Sequence, residues 1–154
     1  MFRPLTICLL LLAQLTASAQ KINEKYRLHI RRTKTPIVID GIANDGGWDQ
    51  AETARDFFMV LPMDSSKANV KTEVKMCYDD KHLYLIAICH KLVSGVNMVE
   101  SLRRDFNFGK NDNFLMFIDP FEDKTSGFSF GANAAGAQWD GMMFEGGKVD
   151  LNWD

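Results

Sequence analysis

Trp139 stands among small and planar polar residues. Ser129, Gly131 and Asn133 lie on one run, and Gln138, Asp140 and Gly141 on the next. An indole with small neighbours offers a flat apolar surface on which a ring carrying hydroxyls can lie. The amides of Asn133 and Gln138, the carboxylates of Asp105 and Asp140 and the guanidinium of Arg104 supply donors and acceptors for those hydroxyls. Trp139, Asn133, Gln138, Asp140, Arg104 and Asp105 therefore form the candidate ligand-binding set. The same residues allow a structural alternative, in which Trp139 covers a sheet edge and Arg104 pairs with Asp105.

Clustered acids raise a second chemistry. Calcium takes roughly six to eight oxygens at short range. Asp40, Asn44, Asp45 and Asp49 lie close together, as do Asp119, Glu122 and Asp123. Neither spacing is that of a helix-loop-helix calcium loop, and acids grouped in turns are also simply solvated. Asp40, Asp45, Asp119 and Asp123 are the calcium candidates. The sequence carries no serine nucleophile elbow, phosphate loop or His-Glu-x-x-His motif, and no carboxylate pair stands out as a glycosidase pair. The segment reads as non-catalytic. Axial ligation of haem would draw on His82 or His90 with Met76 or Met143; packing explains these methionines equally well.

The elements that must position these residues are strands. From Gly127 onward, Phe128, Phe130 and Ala132 alternate with Ser129, Gly131 and Asn133, the period of a strand. After a turn at Ala135-Gly136, Met142 and Phe144 alternate with Trp139, Gly141 and Met143. The phenylalanine face is expected to point to the core, which leaves Trp139 and its small neighbours facing outward. Gly146-Gly147 makes a further turn, and Val149 to Trp153 begins another strand.

Upstream, Val70 to Leu92 reads as a hairpin about Asp79-Asp80-Lys81-His82. Val74, Met76 and Tyr78 alternate with polar residues, so the first arm is expected to be half buried. Leu83 to Cys89 is apolar throughout, so the second is expected to be covered on both faces. Cys77 and Cys89 are expected as buried small hydrophobes, too far apart along this hairpin to be bridged. Pro36 to Gly41 is expected as a short strand ending in a tight turn. Asn44 to Ala54 reads as one or two helical turns that bury Trp48. Phe114 to Ile118 is expected as a second central strand. The fold class is all-β, a β-sandwich of jelly-roll-like or immunoglobulin-like outline.

Composition and charge narrow the partners. The 154 residues suffice for one domain, and a formal charge of −2 with no basic patch argues against nucleic acid. Arg3, the apolar run Leu5–Leu15 and the small residues Ala17-Ser18-Ala19 describe a cleaved export signal, too short to span a membrane. Residues 1–19 are thus the leader, 20–34 a polar arm or edge strand, and 35–154 the sandwich. The expected location is periplasmic, outer-membrane-associated or extracellular. Leu151-Asn152-Trp153-Asp154 has the composition of a strand interior, so the sandwich reads as incomplete at its C-terminus.

Several landmarks together resemble the family 9 carbohydrate-binding modules. They are Pro36-Ile37-Val38-Ile39-Asp40-Gly41 with Trp48-Asp49-Gln50-Ala51, Tyr78-Asp79-Asp80-Lys81-His82-Leu83-Tyr84, Arg104-Asp105, Asp112-Asn113-Phe114 through Ile118-Asp119-Pro120, and Phe130 through Asp140. Their order covers residues 36–140. The resemblance implies a β-sandwich that binds a poly- or oligosaccharide, often with calcium, in a glycoside hydrolase context. Any hydrolase activity would belong to a longer parent protein. In the version at the start of long exported bacterial proteins, the partner is a large C-terminal region that often looks like an outer-membrane β-barrel. The alternatives are a structural or plug-like domain on such a barrel and a haem-binding electron-transfer sandwich. Residues 45–47 read Asp-Gly-Gly where relatives tend to carry an acidic pair.

Overall fold

The structure, a computed structural model, describes residues 26–60 and 66–153. The export signal and residues 20–25 lie outside the described residues. Regular structure is almost entirely strand: β1 (Arg31–Arg32), β2 (Thr53–Ala54), β3 (Thr72–Tyr78), β4 (Leu83–Cys89), β5 (Asn113–Ile118), β6 (Gly127–Asn133), β7 (Gln138–Phe144) and β8 (Lys148–Asp150). They form two four-stranded sheets and no closed barrel, the all-β class expected of a β-sandwich. The described residues divide into two compact units, one of residues 26–57 and 73–86, the other of 58–60, 66–72 and 87–153.

In the first sheet β3 is the hub. It pairs with β1 in parallel, Arg31 opposite Cys77, with β2 antiparallel, Thr53 opposite Lys75, and with β4. This position decides its burial. Val74 and Cys77, which point to opposite faces, are both buried, whereas β4 is half buried in its middle and exposed at its ends. The expected burial of the two hairpin arms is thus reversed. Being flanked by partners protects a strand more than its own apolar content does. Cys89, at the end of β4, is exposed rather than buried, and both cysteines are free thiols.

The hairpin turn itself follows from its residues. Asp79 Oδ1 accepts the backbone N–H groups of Lys81 and His82 at 2.7 Å each, and Asp79 N–H closes the turn on the His82 carbonyl at 3.0 Å. An aspartate that satisfies the next backbone donors is the usual reason for this residue in a turn.

Residues 36–41 do not form the expected strand. The N–H of Val38 goes to the Asp45 carboxylate at 3.2 Å instead of to a neighbouring strand, and Val38 and Ile39 are exposed. Gly41, at φ 81°, takes the left-handed conformation that the Asp-Gly turn requires. The helical turn that seats Trp48 is a single 3₁₀ turn, Gly46–Trp48, and Trp48 is buried at 3% exposure. Lys75 Nζ donates to the Trp48 carbonyl at 3.1 Å, tying that turn to β3.

The second sheet has the order β5-β6-β7-β8, antiparallel throughout. β5 is an edge here, not the central strand its apolar run predicts. The register keeps like faces together: Gly131 lies opposite Trp139 and Ser129 opposite Gly141.

Candidate functional site

Trp139 lies inside. It is 8% exposed, and its indole Nε1–H donates to Ser129 Oγ at 3.2 Å; that hydroxyl donates onward to the Gly141 carbonyl at 3.2 Å. Phe106 and Phe108 pack against the indole at centroid distances of 5.8 and 6.0 Å, tilted and edge-on. The alternation assigned the two faces correctly and their exposure wrongly. The glycines on the face of Trp139 serve other close approaches: a β-carbon at Gly131 would meet Phe114 and Leu115, and one at Gly141 would meet Val149 and Leu151. Residues 101–112 then roof that face, while Phe130, Met142 and Phe144 on the other face are more than a third exposed. The outward Trp139 platform is withdrawn.

Asn133 is consumed by structure as well. Its Oδ1 accepts the N–H groups of Ala135 and Ala137 at 3.0 and 2.9 Å, and its Nδ2 donates to the Ser101 carbonyl at 2.7 Å and towards Asn111 Oδ1 at 3.4 Å. With both amide atoms engaged and 5% exposure, it has nothing to offer a ligand. Asn111, 4% exposed, completes the bracket by accepting the N–H groups of Glu100 and Ser101. Together they hold the roof segment on the end of β6.

The remaining members of the set do converge, on each other. Arg104 Nη2 meets Asp140 Oδ1 at 2.5 Å, and its Nε lies 3.7 Å from Asp105 Oδ2. Asp105 Oδ1 accepts the Asp140 N–H at 3.2 Å, and Asp105 N–H donates to the Gln138 carbonyl at 2.9 Å. Asp105 adopts φ 55°, a left-handed turn that aims both groups at β7. The structural alternative read from the sequence describes this cluster better than the ligand-binding one. It is a clasp between the roof and the strand carrying Trp139, with the Gln138 side chain left exposed.

The calcium candidates face nitrogen donors. Asp119 accepts the N–H groups of Phe121 and Lys124, Asp40 that of Ile42, and Asp45 that of Val38. Asp123 accepts the Ser126 hydroxyl and the N–H groups of Thr125 and Ser126, which hold its carboxyl well below the usual carboxylate range. Asp119 has both oxygens so engaged, Asp40 and Asp45 one each. Among the described residues no three His, Cys, Asp or Glu side chains converge as a metal site, so these positions do not bring together the roughly six to eight oxygens that calcium takes.

The histidines read as haem ligands are placed as follows. His82 Nδ1 lies 3.4 Å from both Asp79 Oδ1 and the Tyr84 hydroxyl. Asp79 also accepts the Tyr84 hydroxyl at 2.8 Å; the Lys81 N–H first, then this phenol, hold its carboxyl well below the ordinary range, and the same bond pushes the Tyr84 phenol up. His82 therefore belongs to the hairpin turn.

A site that the spacing of residues left unmarked lies in the second unit. An open cleft of about 650 Å³ runs between the segment after β4 and the near ends of β5 and β6. Polar groups from separate stretches of the chain line it: His90, Lys91, Asn97, Asp112 and Asn113, with Phe114 beside them. Asp112 Oδ2 accepts the Met98 N–H at 2.8 Å, which pins the loop, and leaves Oδ1 for a ligand. Asn113 Nδ2 is held by the Phe108 and Asn111 carbonyls, so its Oδ1 is presented as an acceptor in one orientation. Asp112-Asn113-Phe114 was visible in sequence only as a family landmark. Its signal was three side chains of different chemistry at the start of an apolar strand.

Comparison with protein-family models, with curated proteins and with solved structures finds no match to this chain.

Proposed function

We propose that this chain is a non-catalytic carbohydrate-binding module of an exported protein, similar in kind to the family 9 modules, and that the sugar sits in the cleft beside Phe114. The observation that carries the reading is the cleft's composition. Preoriented amide and carboxylate oxygens lie next to a half-buried aromatic ring, in an open groove of about 650 Å³. Sugars need little more: an apolar surface for one ring face and a few planar polar groups for the hydroxyls. The all-β scaffold supports this by carrying Asp112, Asn113 and Phe114 at the start of β5, where the backbone is fixed by pairing to β6.

A glycan array followed by calorimetry on the full chain tests it. Binding is expected at micromolar to millimolar strength, one ring-sized contact with a few hydrogen bonds being worth about 4–8 kcal/mol. Asn97 is exposed and makes no hydrogen bond within the described residues, so Asn97→Ala is expected to weaken binding about five- to tenfold with no change in Tm. An array on which no poly- or oligosaccharide is retained would sink the reading.

A further inference from the structure

We infer that the cleft selects acidic sugars: its ligand is a uronic-acid-bearing glycan whose carboxylate is met from the His90–Lys91 side. The inference rests on the carbohydrate reading and adds the charge of the sugar. One flank of the cleft is built from two neighbouring segments of the same unit, residues 66–72 and 87–99. They are joined where the His90 N–H donates to the Lys71 carbonyl at 2.9 Å. These twenty residues contain Lys67, Lys71, Lys91 and His90 and no aspartate or glutamate.

Lys91 is the cation placed at the cleft itself. Its Nζ donates to the Gly95 carbonyl at 2.9 Å, which folds the loop back and fixes the ammonium, and two of its three N–H donors stay available. Among the described residues Asp112 is the only acid lining the cleft. It precedes Asn113, and one of its oxygens is engaged by the Met98 N–H. The groove thus carries both a cation, Lys91, and hydroxyl acceptors, Asp112 and Asn113. A neutral sugar would use only the acceptors. A uronate uses both, with its carboxylate on Lys91 and its ring hydroxyls donating to Asp112 and Asn113. Charge-assisted bonds of this type are about twice as strong as neutral ones.

The test compares one glycan in two charge states: oligogalacturonate and its methyl ester, which share ring, linkage and length. Titrated calorimetrically into the full chain, the free acid is expected to bind about tenfold more tightly than the ester, with a preference that shrinks as salt is raised. Lys91→Met keeps the aliphatic stem and is expected to bring the acid-to-ester ratio close to one; Lys91→Arg is expected to retain most of it. Acid and ester binding equally, or neutral oligosaccharides binding while both galacturonates fail, overturns the inference and leaves the carbohydrate reading standing. Failure of every sugar, charged and neutral, overturns both.

Discussion

At the scale of single residues, the roles of Trp139 and Asn133 turn on how completely their polar atoms are used. Trp139 has its one donor on Ser129 and its faces on Phe106 and Phe108. Trp139→Ala is expected to cost about 3–5 kcal/mol, read as a large drop in Tm, because it leaves a cavity beneath Phe106 and Phe108 and takes the donor from Ser129. An unchanged Tm would show that the indole is not buried in this way. Asp79 gives a second test at this scale. Its carboxyl is depressed in the folded chain by the Lys81 N–H, the Tyr84 hydroxyl and the His82 N–H. A carboxylate with a depressed folded pKa contributes stability that is fully present above its unfolded value, near about 3.9, and is lost as pH falls through the folded value. In a carbon-detected NMR titration Asp79 is expected to stay ionised after the exposed carboxylates have protonated. In Asp79→Asn the hairpin is expected to lose the part of its acid sensitivity that lies below the ordinary carboxylate range. Titration of Asp79 together with the other carboxylates would remove the turn from that role.

At the scale of elements, glycine and asparagine do the work that a reader of strands assigns to large apolar side chains. Gly131 sits opposite Trp139 in the β6–β7 ladder, and a β-carbon there would meet the Phe114 carbonyl and the Leu115 side chain. Gly131→Ala is expected to destabilise by about 1–3 kcal/mol through overpacking, measured by chemical denaturation; a neutral result would show that β5 can shift aside. Asn133 brackets the β6–β7 turn and the roof together. Asn133→Ala leaves the Ala135 and Ala137 N–H groups without their acceptor and is expected to speed amide exchange at both and across residues 101–105. Acceleration confined to the turn would separate the roof from the bracket.

At the scale of the whole molecule, protection is expected to be uneven. β6 is paired along six residues to β5 and along six to β7, whereas β1 and β2 are two-residue strands. Hydrogen exchange read by mass spectrometry is expected to show β6 slowest and β1 and β2 among the fastest, since local opening follows the number of bonds and contacts that must break together. Equal protection of β1 and β6 would contradict this ordering. The glycan tests belong here as well, because the cleft draws on four stretches of chain separated in sequence: Val70, residues 89–97, residues 112–114 and residues 132–134.

What the amino-acid order determined by itself is whatever depends on neighbours along the chain. Alternation from Gly127 to Phe144 specified two strands and their faces, since side chains two apart must share a face. Asp79 and its followers specified a turn, and Trp48 between glycines and alanines specified a buried anchor. Only the tertiary structure decided which face is covered, because covering is supplied from elsewhere: residues 101–112 close over Trp139, and β3 is buried by partners that its own sequence does not name. The same holds for the cleft. Lys91 and Asp112 stand twenty-one positions apart in the chain and line one groove, a proximity set by the folding of the chain rather than by spacing.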